Sequence, residues 1–252
     1  MSDVHIVRAY DDQLGRLNKM IVDMGVLASS QVASATQALV RRDPRLAEEV
    51  IAADARIDQL EGEIEELVVK MLALRQPMAN DLRNIVCALK IASDLERIAD
   101  YAKNNAKRGI ALAQMMPTAG SRGLPGVSRM VEGMIHDVLS AFADRDDAKA
   151  ISVWQRDSEV DDAYTSLLRE NLTYMMEDPR NITACTHLLF IAKNLERMGD
   201  HATNIAENVH YVVSGKRLGE NRPRGTDEGS IVTPDAAGSG NRLPDIEGAD
   251  RA

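Results

Sequence analysis

At 252 residues the chain is long enough for one large domain or two small ones, either able to bury a core. Hydrophobic residues make up 44% but aromatics only 3%, so Leu, Ile, Val, Ala and Met must build the interior, which favours helix-on-helix packing over a sheet. A formal charge of −9 excludes nucleic acid as the main partner, because a phosphate backbone needs a cationic surface.

Apolar residues recur at helical spacing up to about residue 214, with no alternating, strand-like run. The first predicted helix runs from about Tyr10 to Arg42. Asp43-Pro44 then supplies an N-cap and a proline at the first helical position, and the second helix continues to about Arg75. Gln76-Pro77 ends it, and a third helix spans about Ala79 to Met116. Pro117 to Gly126 holds two prolines and three glycines and reads as a linker. A fourth helix is predicted over Ser128 to Ala143 and a fifth over Asp146 to Met176. Asp178-Pro179 repeats the cap-and-proline start for a sixth, which ends near Ser214-Gly215. No apolar run approaches the ~20 residues that cross a bilayer, and the opening Met1-Ser2-Asp3-Val4-His5 lacks the pattern of a signal peptide, so a soluble, cytoplasmic protein is expected. Cys87 and Cys185 each stand alone in an apolar stretch and read as buried thiols in a reducing compartment.

Three helices, a linker and three more helices imply duplication, and the residues bear it out. Shifting the chain by 100 places Leu89, Ile91, Ala92, Leu95, Glu96, Arg97, Asp100, Ala102, Asn104 and Ala106 on identical residues. Chance predicts about one such match in a window of this length. A shift of 103 aligns Asp43 with Asp146, Asp54 with Asp157, Ile57 with Val160 and Asp58 with Asp161. The chain therefore divides into halves at residues 1–118 and 119–215. From 216 to 252 six glycines, three prolines and scattered charges leave no periodicity, and a disordered tail is expected.

Each half carries two acidic pairs at i, i+4, a spacing that puts both side chains on one helix face. They are Asp54/Asp58 and Glu96/Asp100 in the first half, and Asp157/Asp161 and Glu196/Asp200 in the second; Asn104 and Asn204 extend the stripe by one turn. Facing pairs on neighbouring helices would gather four carboxylates and an amide. Like charges so placed repel unless cations neutralise them, and oxygen-only ligands select hard ions: iron, manganese, magnesium or calcium, with zinc also admitted. The alternative is ordinary ion pairing, with Arg97 and Arg197 as tethers. His201, beside Asp200, is a candidate for the second cluster, although its counterpart is Tyr101. No phosphate-binding loop and no nucleophile paired with a base is found, which points away from an enzyme.

The run Asp94-Leu-Glu-Arg-Ile-Ala-Asp100 with Tyr-Ala-Lys-Asn104, and its partner Asn194-Leu-Glu-Arg-Met-Gly-Asp200 with His-Ala-Thr-Asn204-Ile-Ala-Glu207, resemble the paired signatures of the PhoU family, as does Arg75-Gln-Pro-Met-Ala-Asn-Asp-Leu-Arg83. The likeness covers about residues 5–215; Ala99 departs from the usual glycine, which the second half keeps at Gly199. It implies two tandem three-helix bundles related by a pseudo-twofold, and a negative regulator of phosphate uptake and of the phosphate-starvation response. In that role the chain would link the ATPase subunit of a phosphate importer to a membrane sensor histidine kinase, reaching the membrane through partners only, and a homodimer is expected. The resemblance also associates the four acidic pairs with multinuclear metal clusters. Two other readings remain: a metal-free helical scaffold, and a ferritin-like di-metal carboxylate enzyme. The last needs two Glu-x-x-His motifs, and the sequence has one, Glu207-Asn-Val-His210.

Overall fold

The computed structural model describes residues 2–75, 77–78 and 80–219, and of residues 2–9 and 75 the backbone alone. Seven α-helices follow one another: α1 (Ser2–Arg41), α2 (Pro44–Arg75), α3 (Asn80–Ala113), α4 (Leu124–Asp144), α5 (Asp147–Gln155), α6 (Asp157–Glu177) and α7 (Ile182–Ser214). Short 3₁₀ turns at Ala119–Ser121 and Pro179–Asn181 precede α4 and α7, and no strand occurs among the described residues. The expected all-α architecture is what forms. The expected tail lies, from residue 220 onward, outside the described residues.

Asp43 caps α2 as the sequence predicts, and it shares a longer turn with its repeat equivalent, Asp146. Arg42 and Arg145, 103 residues apart, are the two described non-glycine residues with left-handed backbone, at φ 52° and 53°. After each, the aspartate N–H returns to a carbonyl five residues back: Asp43 to Ala38 and Asp146 to Ala141, both at 2.9 Å. These bonds close the preceding helix in a Schellman turn. Asp43 Oδ1 then accepts from the N–H groups of Arg45 and Leu46, and Asp146 Oδ1 from that of Lys149 at 3.0 Å, opening the next helix. A left-handed arginine costs about 1 kcal/mol, and in return both guanidiniums fasten α3. Arg42 donates to the carbonyls of Leu112, Ala113 and Met115 at its C-terminal end, and Arg145 to Asn84 Oδ1 near its start.

In the second half three boundaries differ from expectation, and in the first α1 begins earlier, at Ser2, and α3 ends at Ala113. Pro125 and Gly126, read as linker, fall inside the first turn of α4, where a proline removes no hydrogen bond. Asp178-Pro179 starts a 3₁₀ turn, and α7 proper begins at Ile182. The predicted fifth helix breaks at Arg156, whose ψ of −2° leaves the helical range; its N–H reaches only back to Val153. Its side chain donates to Asp137 Oδ2 on α4 at 2.8 Å. The equivalent position in the first half is Ala53, and α2 runs through it unbroken.

In each half three helical layers pack together: α1, α2 and α3 in the first, and α4, α5–α6 and α7 in the second. The halves join through α1 against α4 and α3 against α7, each helix meeting its own repeat equivalent, as a twofold requires. Contacts along α3 and α7 run in opposite order, from Arg83 on Tyr211 through Asp94 on His201 to Arg108 on Phe190, so these helices are antiparallel. Close approach of α1 to α4 uses Gly25, where a β-carbon would lie 2.3 Å from Leu139 Cδ2. Ile91, Ala92, Leu95, Ala102 and Ala106 are buried together with their counterparts at 191, 192, 195, 202 and 206. Half of the ten repeated identities are therefore core positions, and one hydrophobic core runs through both halves.

Replacing the capping aspartates tests this account. Asp43→Ala and Asp146→Ala should each cost about 1 kcal/mol in denaturant unfolding. The continuous core predicts a single transition for both variants, and two separated transitions would contradict it.

Candidate functional site

The first acidic face forms where α2 lies along α3. Asp54 comes from α2 and is almost entirely buried, its side chain 5% exposed; Asp100 comes from α3 and is 33% exposed. Between them stands Lys103, one turn beyond Asp100. Its ammonium donates to Asp54 Oδ2 and, at 3.0 Å, to Asp100 Oδ1. These hydrogen bonds, Asp54 first, raise the lysine pKa against the opposing effect of burial. Glu96, one turn before Asp100 on the same face of α3, has its carboxyl raised chiefly by burial and then by Asp100, with Asp58 and Asp54 adding to the effect and Arg97 opposing it. Arg97 Nε lies 3.5 Å from Glu96 Oε2. The four predicted carboxylates of this half thus share one field. Glu61 joins them: its carboxyl is raised by burial first and then by Glu96. The repeat could not reveal Glu61, because its counterpart is Tyr164. Asn104 lies half-buried one turn past Asp100.

The second face, on α6 and α7, repeats the acids but not their partners. Asp157 is buried like Asp54, yet the residue opposite is Thr203, whose hydroxyl donates to Asp157 Oδ1 at 3.0 Å. A lysine arrives from elsewhere. Lys193, three residues before Glu196, donates to Glu196 Oε1 at 3.0 Å and rests 4.9 Å from the centre of the Tyr164 ring. Glu196 is 13% exposed, and its second oxygen, Oε2, is buried without a hydrogen-bond partner. Burial raises its carboxyl most, the Lys193 bond lowers it, and Asp200 and Asp161 raise it further. Asp161, Glu196 and Asp200 are therefore neighbours. Asn204 lines a cavity of about 700 Å³ between α3 and α7 with Lys90, Ser93, Asp94 and Glu207.

The two histidines beside the acidic motifs, His201 and His210, are engaged elsewhere. His201 Nδ1 meets Asp94 Oδ1 at 2.8 Å across the junction of the halves, so it serves that junction. His210 pairs with Asp147 at 2.6 Å, and Glu207 accepts from Trp154 Nε1 at 3.0 Å, which ties the one ferritin-like motif to separate partners on α5.

A metal ion would have to use these donors. Among the described residues no three Asp, Glu, His or Cys side chains close on a single point in a way that holds an ion. The two faces differ in their fit. On the first, the lysine ammonium already holds Asp54 and Asp100. On the second, Glu196 Oε2 is buried without a hydrogen-bond partner in the field of Asp200 and Asp161, so one hard oxygen donor there has unused acceptor capacity.

Comparison with known proteins matches both halves to one family. The PhoU domain model fits residues 21–109 and again 124–209. A phosphate-specific transport system accessory protein PhoU homolog from Caulobacter vibrioides (strain NA1000 / CB15N) is 50% identical over 221 residues, covering 87% of this chain and 96% of that protein. The homolog from Rhizobium meliloti (strain 1021) is 49% identical over 225 residues, covering 89% and 95%. The crystal structure of PhoU from Pseudomonas aeruginosa superposes with a TM-score of 0.79 at 41% identity, over 82% of this chain and 100% of that one. The phosphate transport system regulatory protein PhoU from Streptococcus pneumoniae gives 0.77 at 30% identity, over 83% and 99%.

The raised Glu96 carboxyl sets a testable pH dependence. Its pKa in the folded protein lies above the ordinary 4.5, so the folded state holds the proton more tightly than the unfolded chain. The ionised form then weakens the fold, and stability rises as pH falls through the folded value towards 4.5. Glu96→Gln should therefore be more stable than the wild type in chelator at pH 7.5, with the advantage shrinking to nothing below pH 4.5. Thermal unfolding across pH measures it, and a Gln variant that is less stable at pH 7.5 would contradict the assignment.

Proposed function

This chain belongs to the PhoU family, and on that premise we propose that it is a non-enzymatic accessory protein of a phosphate-specific transport system that represses phosphate uptake and the phosphate-starvation response. The observation that carries the reading is the double match of the PhoU domain to both halves, together with half-identical relatives named as accessory proteins of that system. The chemistry of the chain supports it: the carboxylates and histidines that might suggest catalysis are tied to lysines, arginines, hydroxyls and one another. Such an arrangement builds surfaces.

In this proposal the chain works in the cytoplasm as a homodimer and reaches the membrane through its partners, the ATPase subunit of the importer and a phosphate-sensing histidine kinase. No helix among the described residues is long and apolar enough to cross a membrane. Two anionic faces on rigid helix pairs suit an adaptor, since opposed charge steers association and suppresses wrong partners. A hard cation, with iron, manganese, magnesium, calcium and zinc as candidates, belongs on the second face in this reading, held by Asp161, Glu196 and Asp200. When bound it would neutralise the repulsion among them; Lys193 anchors Glu196 from the side.

Deleting the gene tests the proposal. Starvation-response transcripts should be high in phosphate-rich medium, and a wild-type copy should silence them again. Normal repression in the deletion strain would contradict the regulatory reading.

A further inference from the structure

The groove where α3 meets α7 has two ends related by the pseudo-twofold, and they are built differently. At one end Phe190 of α7 and Arg108 of α3 cover each other, the guanidinium 4.1 Å from the ring centre. At the other end the same repeat positions hold Lys90 and Asn208, and both line the open cavity of about 700 Å³. The turn after α7 completes its wall. Gly215 takes the left-handed backbone that ends the helix, at φ 75°, and its N–H donates to the Tyr211 carbonyl at 3.1 Å. The chain then turns so that Arg217, Leu218 and Gly219 reach the cavity. Arg83 of α3 fastens this turn. Its Nη1 lies 3.5 Å from the Tyr211 carbonyl oxygen, and its guanidinium is 5.0 Å from the centre of the Tyr211 ring, which Arg217 approaches to 5.7 Å.

Charge is sorted along the groove. Arg83, Cys87, Lys90 and Asp94 follow one another at i, i+4 and i, i+3 spacing, which places them on one face of α3. Burial raises the pKa of the Cys87 thiol, and Lys90, Arg83 and Arg217 all oppose it, so the three cations lie close together. Among the described residues none of the three is ion-paired with a carboxylate. Lys90 and Arg217 are exposed, and a ring contact uses none of the five donors of a guanidinium. The cavity's two acids sit further along and are already engaged: Asp94 with His201 at 2.8 Å, and Glu207 with Trp154 Nε1 at 3.0 Å. Between the two ends Ser93 adds a hydroxyl to the wall.

Ammonium and guanidinium groups converging on one wall are the donors that hold phosphoryl oxygens. A volume of this size is within the ~300–1,000 Å³ of pockets that enclose whole small molecules, and the polar lining calls for a polar occupant. We propose that the cavity at the α3–α7 junction binds a phosphorylated small molecule of nucleotide size, its phosphoryl group on Lys90 and Arg217 and its hydroxyl or amino donors towards Asn204 and Glu207. Such a ligand spans α3 of the first half and α7 of the second. The site involves neither acidic face and does not depend on the repressor role.

Isothermal titration calorimetry of the full-length chain with ADP, pyrophosphate, inorganic phosphate and adenosine tests the proposal, with chelator present so that no metal ion bridges a ligand to the acidic faces. ADP should bind at one per chain, pyrophosphate and inorganic phosphate more weakly, and adenosine, which has no phosphoryl group, not measurably. Lys90→Gln and Arg217→Gln should each weaken ADP binding about fivefold, the contribution of a charge contact open to water. Lys70→Gln, which removes the same charge from an exposed position on α2 outside the cavity, should leave it unchanged. Circular dichroism confirms that each variant is folded. Absence of binding by ADP, pyrophosphate and phosphate alike would overturn the proposal, as would binding that Lys90→Gln and Arg217→Gln leave intact. Inorganic phosphate bound as tightly as ADP and lost in the same variants would keep the phosphoryl site and overturn the nucleotide-sized occupant.

Discussion

Carboxylates pressed between helices lose water and repel one another, and the fold must supply positive charge or hydrogen-bond donors within reach. An uncompensated buried charge costs several kcal/mol, of the same order as the whole stability of a domain. The first half meets this constraint with one lysine that bridges α2 and α3 through Asp54 and Asp100. The second meets it with a threonine on Asp157 and a lysine on Glu196. Compensation by Lys103 is more than local, since the bridged carboxylates come from different helices and the bridge fixes how those helices lie. Glu96 and Glu196, raised by burial on both faces, mark where compensation is incomplete.

Much of this was legible in the sequence. Helical periodicity, the Asp-Pro starts and the 100-residue repeat were enough to predict six helical segments, two halves and the pairs of acids that do come together. These signals are strong because each reflects a local rule: a cap, a proline at a first turn, an i, i+4 face. What escaped depends on tertiary partners. The break at Arg156 goes with a side-chain bond to Asp137 on another helix, and nothing in the periodicity of residues 146–176 announces it. Pro125 and Gly126 look like linker until the turn they open is seen to lack any hydrogen bond to lose. Repetition, which exposed the acids, hid their partners. Lys103 faces Thr203 in the alignment, Lys193 faces Ser93 and Glu61 faces Tyr164, so a comparison that rewards identity passes over all of them.

The pseudo-twofold gives this divergence its meaning. α1 against α4 and α3 against α7 join each helix to its own equivalent, so the acidic faces, one on each half, began as copies. A regulator that engages two different partners gains from two related but unequal surfaces, because specificity needs a feature that rejects the wrong partner as well as one that accepts the right one. In this chain the inequality lies in the position and bonding of the compensating charge, while the Schellman turns at Arg42 and Arg145 and the shared core hold both halves to one frame.

The measurement that bears most directly on the account is a double-mutant cycle between Asp54 and Lys103, using Asp54→Asn and Lys103→Met with unfolding free energies in chelator. Burial of Asp54 to 5% exposure predicts a coupling of about 2 kcal/mol, within the range for contacting charged residues in one network. A coupling below about 0.5 kcal/mol, the level of an exposed surface pair, would show that the lysine does not compensate the buried carboxylate and would contradict the account.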